Sequence, residues 1–213
     1  MQLTPIPDSD LPRAIEAVRV NLTPGTLARS VFDRIAATAD LIPLGVDTPA
    51  HRAAAVDLAR RFGIGTIDEA PQAAWSYDGQ AIRTRSEAAV IVHEVGHWIV
   101  APPERRGVID FGLGAGPESG RRAEADAALA VDRESQIEEE ALASLIGILW
   151  EVELGQPAIL AFLEQNWMEG WQRPFCAENF AANLEALHRQ GWIDADGRPV
   201  PPENFPGTAP AAA

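Results

Sequence analysis

Residues 88–101 form an apolar run in which the polar exceptions follow a helical spacing. Two prolines come directly after the run and end the helix that it predicts, because proline removes a backbone donor and clashes with the preceding turn. A helix that is apolar on every side lies inside a fold, where a polar side chain costs several kcal/mol unless it is paired or bound to a ligand. The exceptions are His93, Glu94 and His97, and the sequence therefore predicts partners for them.

His93 and His97 lie one turn apart, so a helix places both imidazoles on the same face. Two imidazoles in this arrangement bind one metal ion, and the intervening Glu94 is the carboxylate that transfers protons beside it. The alternative is that these side chains merely lie on a helix surface. The apolar neighbours on the helix favour the metal site, because they predict that all three side chains are buried.

A metal site with two histidines lacks a third protein ligand, which a later element has to supply. Glu138, Glu139 and Glu140 stand at the head of a second apolar helix. We expect Glu140 to be the ligand, then Glu139, then Glu138, and Asp110 is the competing oxygen donor. Ser144, one turn after Glu140, is expected to hold a neighbour of the ligand in place. The alternative is that the three glutamates form a solvated helix start.

Charge and composition exclude several classes of protein. The chain of 213 residues carries 17 basic and 31 acidic side chains, a formal net charge of −14, whereas nucleic-acid binding needs a basic face. Its one cysteine excludes a disulfide framework. No stretch approaches the roughly 20 apolar residues that cross a bilayer, and the N-terminus does not read as a signal peptide. We therefore expect a cytoplasmic protein with neither a nucleic-acid nor a membrane partner.

The spacing of apolar residues predicts a mainly α fold, or α+β with a small strand region. A capping box from Thr84 to Glu87 is expected to start the central helix. The predicted helices cover residues 11–20, 23–41, 48–61, 88–101, 123–154 with a break near Asp132, 157–165 and 177–190, with one or two short strands within 64–82. We expect a single metal-binding domain over 11–200, a mobile N-terminus over 1–10 and a disordered C-terminal tail over 201–213.

Three motifs follow one another along the central part of the chain: His93-Glu94-Val95-Gly96-His97-Trp98, the basic pair Arg105-Arg106, and Asp110-Phe111-Gly112. Together they resemble the bacterial elongation factor P hydroxylase family, and the resemblance covers about residues 86–157. Gly155-Gln156-Pro157 resembles a later motif of the family, and counting back from it places Glu140 on the family's third metal-binding glutamate.

The resemblance implies a zincin-like helix pair that carries the metal site, with His93, His97 and Glu140 as ligands and Glu94 as the site carboxylate. It further implies a hydroxylase that uses oxygen and non-haem iron and acts on a modified lysine of a protein partner, elongation factor P. Arg105 is expected to be a solvated loop cation, or alternatively to pair with Asp110 and fix the loop beside the metal.

The ligand types by themselves fit either iron or zinc, so two other classes stay open. One is a zinc metallopeptidase or other hydrolase in which Glu94 is the general base. The other is a metal-free accessory or interaction protein that keeps the same fold. The resemblance favours iron over zinc.

Overall fold

The computed structural model describes residues 6–71, 75–114 and 122–205, and this part of the chain is mainly helical with one small sheet, as predicted. The strands β1 (Gly65–Ile67) and β2 (Ala81–Arg83) pair in parallel. The helices are α1 (Leu11–Asn21), α2 (Leu27–Ala37), α3 (Pro49–Arg61), α4 (Ala88–Val100), α5 (Arg122–Ala127), α6 (Arg133–Glu153), α7 (Ala158–Glu164) and α8 (Pro174–Arg189).

Side-chain caps start several of these helices where the sequence predicts a start or a break. Thr48 accepts a hydrogen bond from the backbone N–H of His51 and begins α3, with Pro49 in the first turn. Asp132 accepts one from Ser135 and begins α6, which confirms the break near Asp132 between α5 and α6. These caps depend on residues within one turn, which is why the sequence alone reveals them.

The predicted capping box at the start of α4 is wrong. Glu87 occupies the cap position without a side-chain cap bond, and the backbone N–H of Ala88 donates instead to Asp47 Oδ1 at 3.0 Å. Thr84 belongs to the sheet region, because its backbone N–H and its hydroxyl both donate to the carbonyl of Ile67. Thr84 is therefore bonded to the strand pair, although the local sequence predicts it as the cap of the helix.

Both ends of the described chain contact the core. Ile6 packs against the core and Asp8–Asp10 form a 3₁₀ turn that leads into α1. At the other end Phe205 is 5% exposed and its ring lies 5.5 Å from that of Phe62. The mobile start over 1–10 and the disordered tail over 201–213 stay predictions, and residues 1–5 and 206–213 lie outside the described part.

The central helix α4 packs between α3 and α6, and its contact with α6 is the most extensive between any two elements of the described residues. Gly96 makes this approach possible, because a Cβ atom at this position would overlap the backbone carbonyl of Ala143 on α6. One turn away, Gly147 of α6 faces the backbone of His93. Within the described residues no helix is long and apolar enough to span a membrane.

Gly96→Ala is expected to destabilise the protein by about 1–3 kcal/mol, although alanine favours a helix, because the added methyl group forces α4 away from α6. Chemical denaturation measures the change. Gly107→Ala is the matched control, since a Cβ atom there meets nothing within 4 Å. Equal stability of the Gly96→Ala variant and the wild type would contradict the close packing of the two helices.

Candidate metal centre

Helix α4 presents its two histidines to the same point, as the spacing predicts. The rings of His93 and His97 lie 4.5 Å apart between centroids at an interplanar angle of 90°. Their Nε2 atoms are 3.0 Å apart. The His97 side chain is 6% exposed and that of His93 is 21% exposed, so the pair is accessible from the His93 side.

Glu140, near the start of α6, completes the group. Its Oε1 lies 3.2 Å from Nε2 of His93 and its Oε2 lies 3.4 Å from Nε2 of His97. The three residues offer ligand atoms that all lie within 4.8 Å of one another, and Asp110 does not belong to this group. Among the four carboxylates considered from the sequence, the structure thus brings Glu140 to the histidines.

The spacing of these atoms suits a small divalent cation. Ligands bound at about 2.0–2.1 Å to a tetrahedral ion lie about 3.3 Å from one another. The observed separations of 3.0, 3.2 and 3.4 Å are close to that value. Two imidazoles and one carboxylate are also ligand types that divalent zinc and iron accept. The residues present therefore fit a metal ion.

The protonation states of two ligands also suit a cation. Burial and the charge of His93 lower the pKa of His97 to about 4, so this ring is neutral near pH 7. Burial alone would raise the pKa of Glu140, but the hydrogen bond with His93 and the charges of both histidines outweigh it and lower this pKa to about 2. A neutral imidazole and an ionised carboxylate are the forms that bind metals.

Glu94 lies beside the group on α4 and is buried, as predicted. Its Oε2 atom is inaccessible to water and receives no hydrogen bond from the described residues. Burial, and then the charge of Asp110, raise its pKa to about 8. A carboxyl group with a pKa near neutrality is able to accept and return a proton, which is the role predicted for Glu94.

Arg105 does not pair with Asp110 and is not solvated, so neither expectation for it is correct. Its Nη2 donates to both carboxylate oxygens of Glu139 at 2.6 Å, and its Nη1 donates to the carbonyl of Phe111 at 2.9 Å. Glu139 is consequently engaged as an ion-pair partner and is not available as a ligand. The contact ties the start of α6 to the turn that contains Asp110.

That turn, Ile109–Gly112, has an unusual backbone conformation beside the metal centre. Asp110 and Phe111 have φ angles of 48° and 52°, a region that costs energy for residues with a Cβ atom. Phe111 stacks on His97 with centroids 5.6 Å apart and on Tyr77 with centroids 4.4 Å apart. Burial and the charge of Glu140 raise the pKa of Asp110 to about 6. Asp110 is not among the residues whose ligand atoms converge at the centre.

Ser144 lies beside the centre but contacts a different partner. Its hydroxyl accepts a hydrogen bond from the indole Nε1 of Trp167 at 2.6 Å, and no hydrogen bond to Glu140 is formed. Both residues line an open cavity of about 590 Å³ that also reaches His93 and Glu140. Ser144 therefore shapes the cavity through Trp167.

The cavity wall is acidic. Beside Glu140 it contains Glu87 and Glu164, and the described residues that line it include neither lysine nor arginine. Burial and the charge of Glu87 raise the pKa of Glu164. The cavity consequently favours a cationic or neutral group over an anion.

Two residues near the centre were not predicted from the sequence. Tyr77, from the strand region, supports Phe111 by stacking, and nothing local in the sequence links the two. Glu151 of α6 is 3% exposed, and burial raises its pKa to about 8. Glu151 follows Gly147 by one turn and Ser144 by two, so the helical period could have placed it on the buried face.

No protein-family model matches this chain, and no curated protein or solved structure is detectably similar to it. The resemblance to the elongation factor P hydroxylase family and the zincin-like helix pair therefore stay predictions.

Glu140→Ala is expected to lose most of the bound metal, because two histidines alone hold a divalent ion weakly. Metal content per chain after purification and dialysis measures the loss. Glu138→Ala is the matched control, since Glu138 is an exposed glutamate on the same helix. Full retention of metal by the Glu140→Ala variant would contradict Glu140 as a ligand.

Glu151→Gln is expected to change how stability depends on pH. From the ordinary pKa of 4.5 to the folded value of about 8, the folded chain keeps a proton that the unfolded chain releases. Stability therefore falls as pH rises through this window, and the uncharged variant avoids that loss.

We expect the Glu151→Gln variant to gain up to about 4 kcal/mol over the wild type between about pH 5 and about pH 9. Denaturant titrations of the metal-free protein at both values measure the gain, and Glu138→Gln should show none. Parallel pH profiles of the Glu151→Gln variant and the wild type would show that Glu151 is ionised in the folded chain.

Proposed function

We propose that this protein is a metal-dependent hydroxylase that resembles the elongation factor P hydroxylases, with non-haem iron as its metal and a modified lysine of a partner protein as its substrate. The observation that carries the proposal is the convergence of His93, His97 and Glu140 beside an open cavity. Two histidines and one carboxylate, with coordination positions left free, are the ligand set of non-haem iron oxygenases.

The chain's own residues supply binding, orientation and proton transfer in this proposal. His93, His97 and Glu140 hold the ion, and the ion provides oxygen activation if it is iron or Lewis acidity if it is zinc. Glu94 holds or releases a proton next to the ligands, because its pKa of about 8 is close to neutrality. The stacked ring of Phe111 keeps His97 in place and shields it from water.

The charge distribution supports a lysine-bearing partner. Glu87 and Glu164 line the cavity next to the ligands, and the whole chain has a net charge of −14. A negative surface steers a basic segment towards the cavity and raises the rate of encounter. The cavity of about 590 Å³ also has room for an extended side chain.

The second candidate is a zinc-dependent peptidase or other hydrolase, and the state of Glu94 favours it specifically. A buried carboxyl group with a raised pKa, next to two metal-binding histidines in one motif, has the properties of a general base in hydrolysis. The third class, a metal-free interaction protein, is supported only if the three ligands hold each other by hydrogen bonds alone.

The deciding experiment begins with elemental analysis of protein purified without added metal. Iron supports the hydroxylase, zinc supports the hydrolase, and the absence of any metal supports the third class. The iron-loaded protein is then incubated with elongation factor P, oxygen and a two-electron reductant, and the partner is examined by mass spectrometry. Hydroxylation inserts one oxygen atom into a C–H bond of the partner while the other oxygen atom leaves as water.

His93→Ala is expected to abolish activity in either enzyme, because it removes a metal ligand from the centre. The measured quantity is the mass gain of the partner, or peptide cleavage for the hydrolase. His188→Ala is the control, since His188 is an exposed histidine on α8. Unchanged activity of the His93→Ala variant would exclude both enzyme proposals.

A further inference from the structure

Two buried polar atoms next to the metal centre have no hydrogen-bond partner among the described residues. One is Nδ1 of His93, the ring nitrogen that does not face Glu140, and the other is the side-chain oxygen Oε1 of Gln165. Both residues line the same cavity. Buried polar atoms are normally paired, so each of these two requires an explanation.

The two atoms are chemically complementary. An amide oxygen only accepts hydrogen bonds, and an imidazole nitrogen that carries hydrogen donates one. Burial lowers the pKa of His93, but hydrogen bonding to Glu140, the charges of Glu140 and Glu94 and a weaker hydrogen bond with Gln165 outweigh burial and raise it. Neither Nδ1 of His93 nor Oε1 of Gln165 has any other partner among the described residues.

We propose that Gln165 is a positioning residue for the metal centre, whose amide oxygen accepts a hydrogen bond from Nδ1–H of His93 and so directs the lone pair of Nε2 towards the ion. This inference rests on the metal site proposed above. Metal-binding histidines generally donate their second ring N–H to an oxygen atom, and that contact fixes both the tautomer and the ring orientation.

The chain holds Gln165 firmly enough for this role. Gln165 ends α7, and the next residue, Asn166, turns the backbone with a φ angle of 67°. Trp167 then anchors the turn, because its indole N–H donates to Ser144 on α6 at 2.6 Å. The thiol of Cys176 donates to the carbonyl of Trp167 at 2.7 Å. The turn is thus fixed to α6 one helical turn beyond Glu140.

The orientation of the Gln165 amide group determines which ring nitrogen of His93 carries the hydrogen. With Oε1 towards the ring, Nδ1 keeps the hydrogen and Nε2 is free to bind the ion. With the amide nitrogen towards the ring, Nδ1 would have to accept, and the hydrogen would occupy Nε2. Gln165→Glu separates these cases, because a carboxylate accepts hydrogen bonds but does not donate. Gln165→Leu removes the acceptor and keeps a similar volume.

The test measures zinc affinity by competition with a chelator in the full-length protein, using zinc as the probe. Gln165→Leu is expected to bind zinc about 10–100-fold more weakly than the wild type, the usual effect of removing such a partner. Gln165→Glu is expected to bind at least as tightly as the wild type. Gln190→Leu, at an exposed position at the end of α8, is the matched control and should leave the affinity unchanged.

A spectroscopic readout distinguishes positioning from a merely structural role. In the zinc-loaded wild type, the Nδ1–H signal of His93 in a ¹⁵N–¹H spectrum should be shifted downfield and protected from exchange. Gln165→Leu should lose that protection and Gln165→Glu should keep it, while the ring signals of His97 stay unchanged in both variants.

The test distinguishes a failure of the inference about Gln165 from a failure of the proposed metal site. If the wild type binds zinc and Gln165→Leu binds it equally well, the inference about Gln165 is wrong and the metal site stands. If the Leu and Glu variants lose affinity to the same extent, Gln165 has only a structural role. If the wild type binds neither zinc nor iron, the proposed metal site is wrong and the inference is overturned with it.

Discussion

The close crossing of α4 and α6 is the contact on which the candidate centre depends. The missing side chain of Gly96 lets the backbone of α4 approach that of Ala143, and Gly147 leaves room for His93. Because the helices meet at this distance, Glu140 reaches both histidines of α4 with its two oxygen atoms. A larger residue at Gly96 would separate ligands that lie on different helices, so the packing of the two helices also determines the geometry of the site.

A second set of contacts fixes the opposite side of the centre. Arg105 joins Glu139 at the start of α6 to the carbonyl of Phe111, and the ring of Phe111 packs on His97. Asp110 and Phe111 both have left-handed backbone conformations, which cost roughly 1–3 kcal/mol each. Strain of this kind persists where surrounding contacts determine it, and here the ion pair and the ring stack provide those contacts.

The sequence predicts those parts of the structure that depend on neighbours within one or two helical turns. The spacing of His93 and His97, the break near Asp132 and the ranking of Glu140 above Glu139 all rest on such local patterns. Residues whose partners are distant in the chain could not be assigned in this way. Thr84 donates to Ile67 of β1, and Arg105 pairs with Glu139. Gln165 lines the same cavity as His93 because α7 packs beside α6.

Charge connects the centre to its proposed partner. Glu140, which is ionised, lines the same cavity as Glu87 and Glu164. The charge of Glu87 disfavours the ionised form of Glu164, so a cation in the cavity would reduce repulsion between carboxylates. Under the proposed function, a divalent ion held by His93, His97 and Glu140 and a basic side chain entering the cavity would both be favoured by this charge. Salt in solution would weaken the attraction of the exposed carboxylates for the basic segment, because exposed charges are screened most strongly.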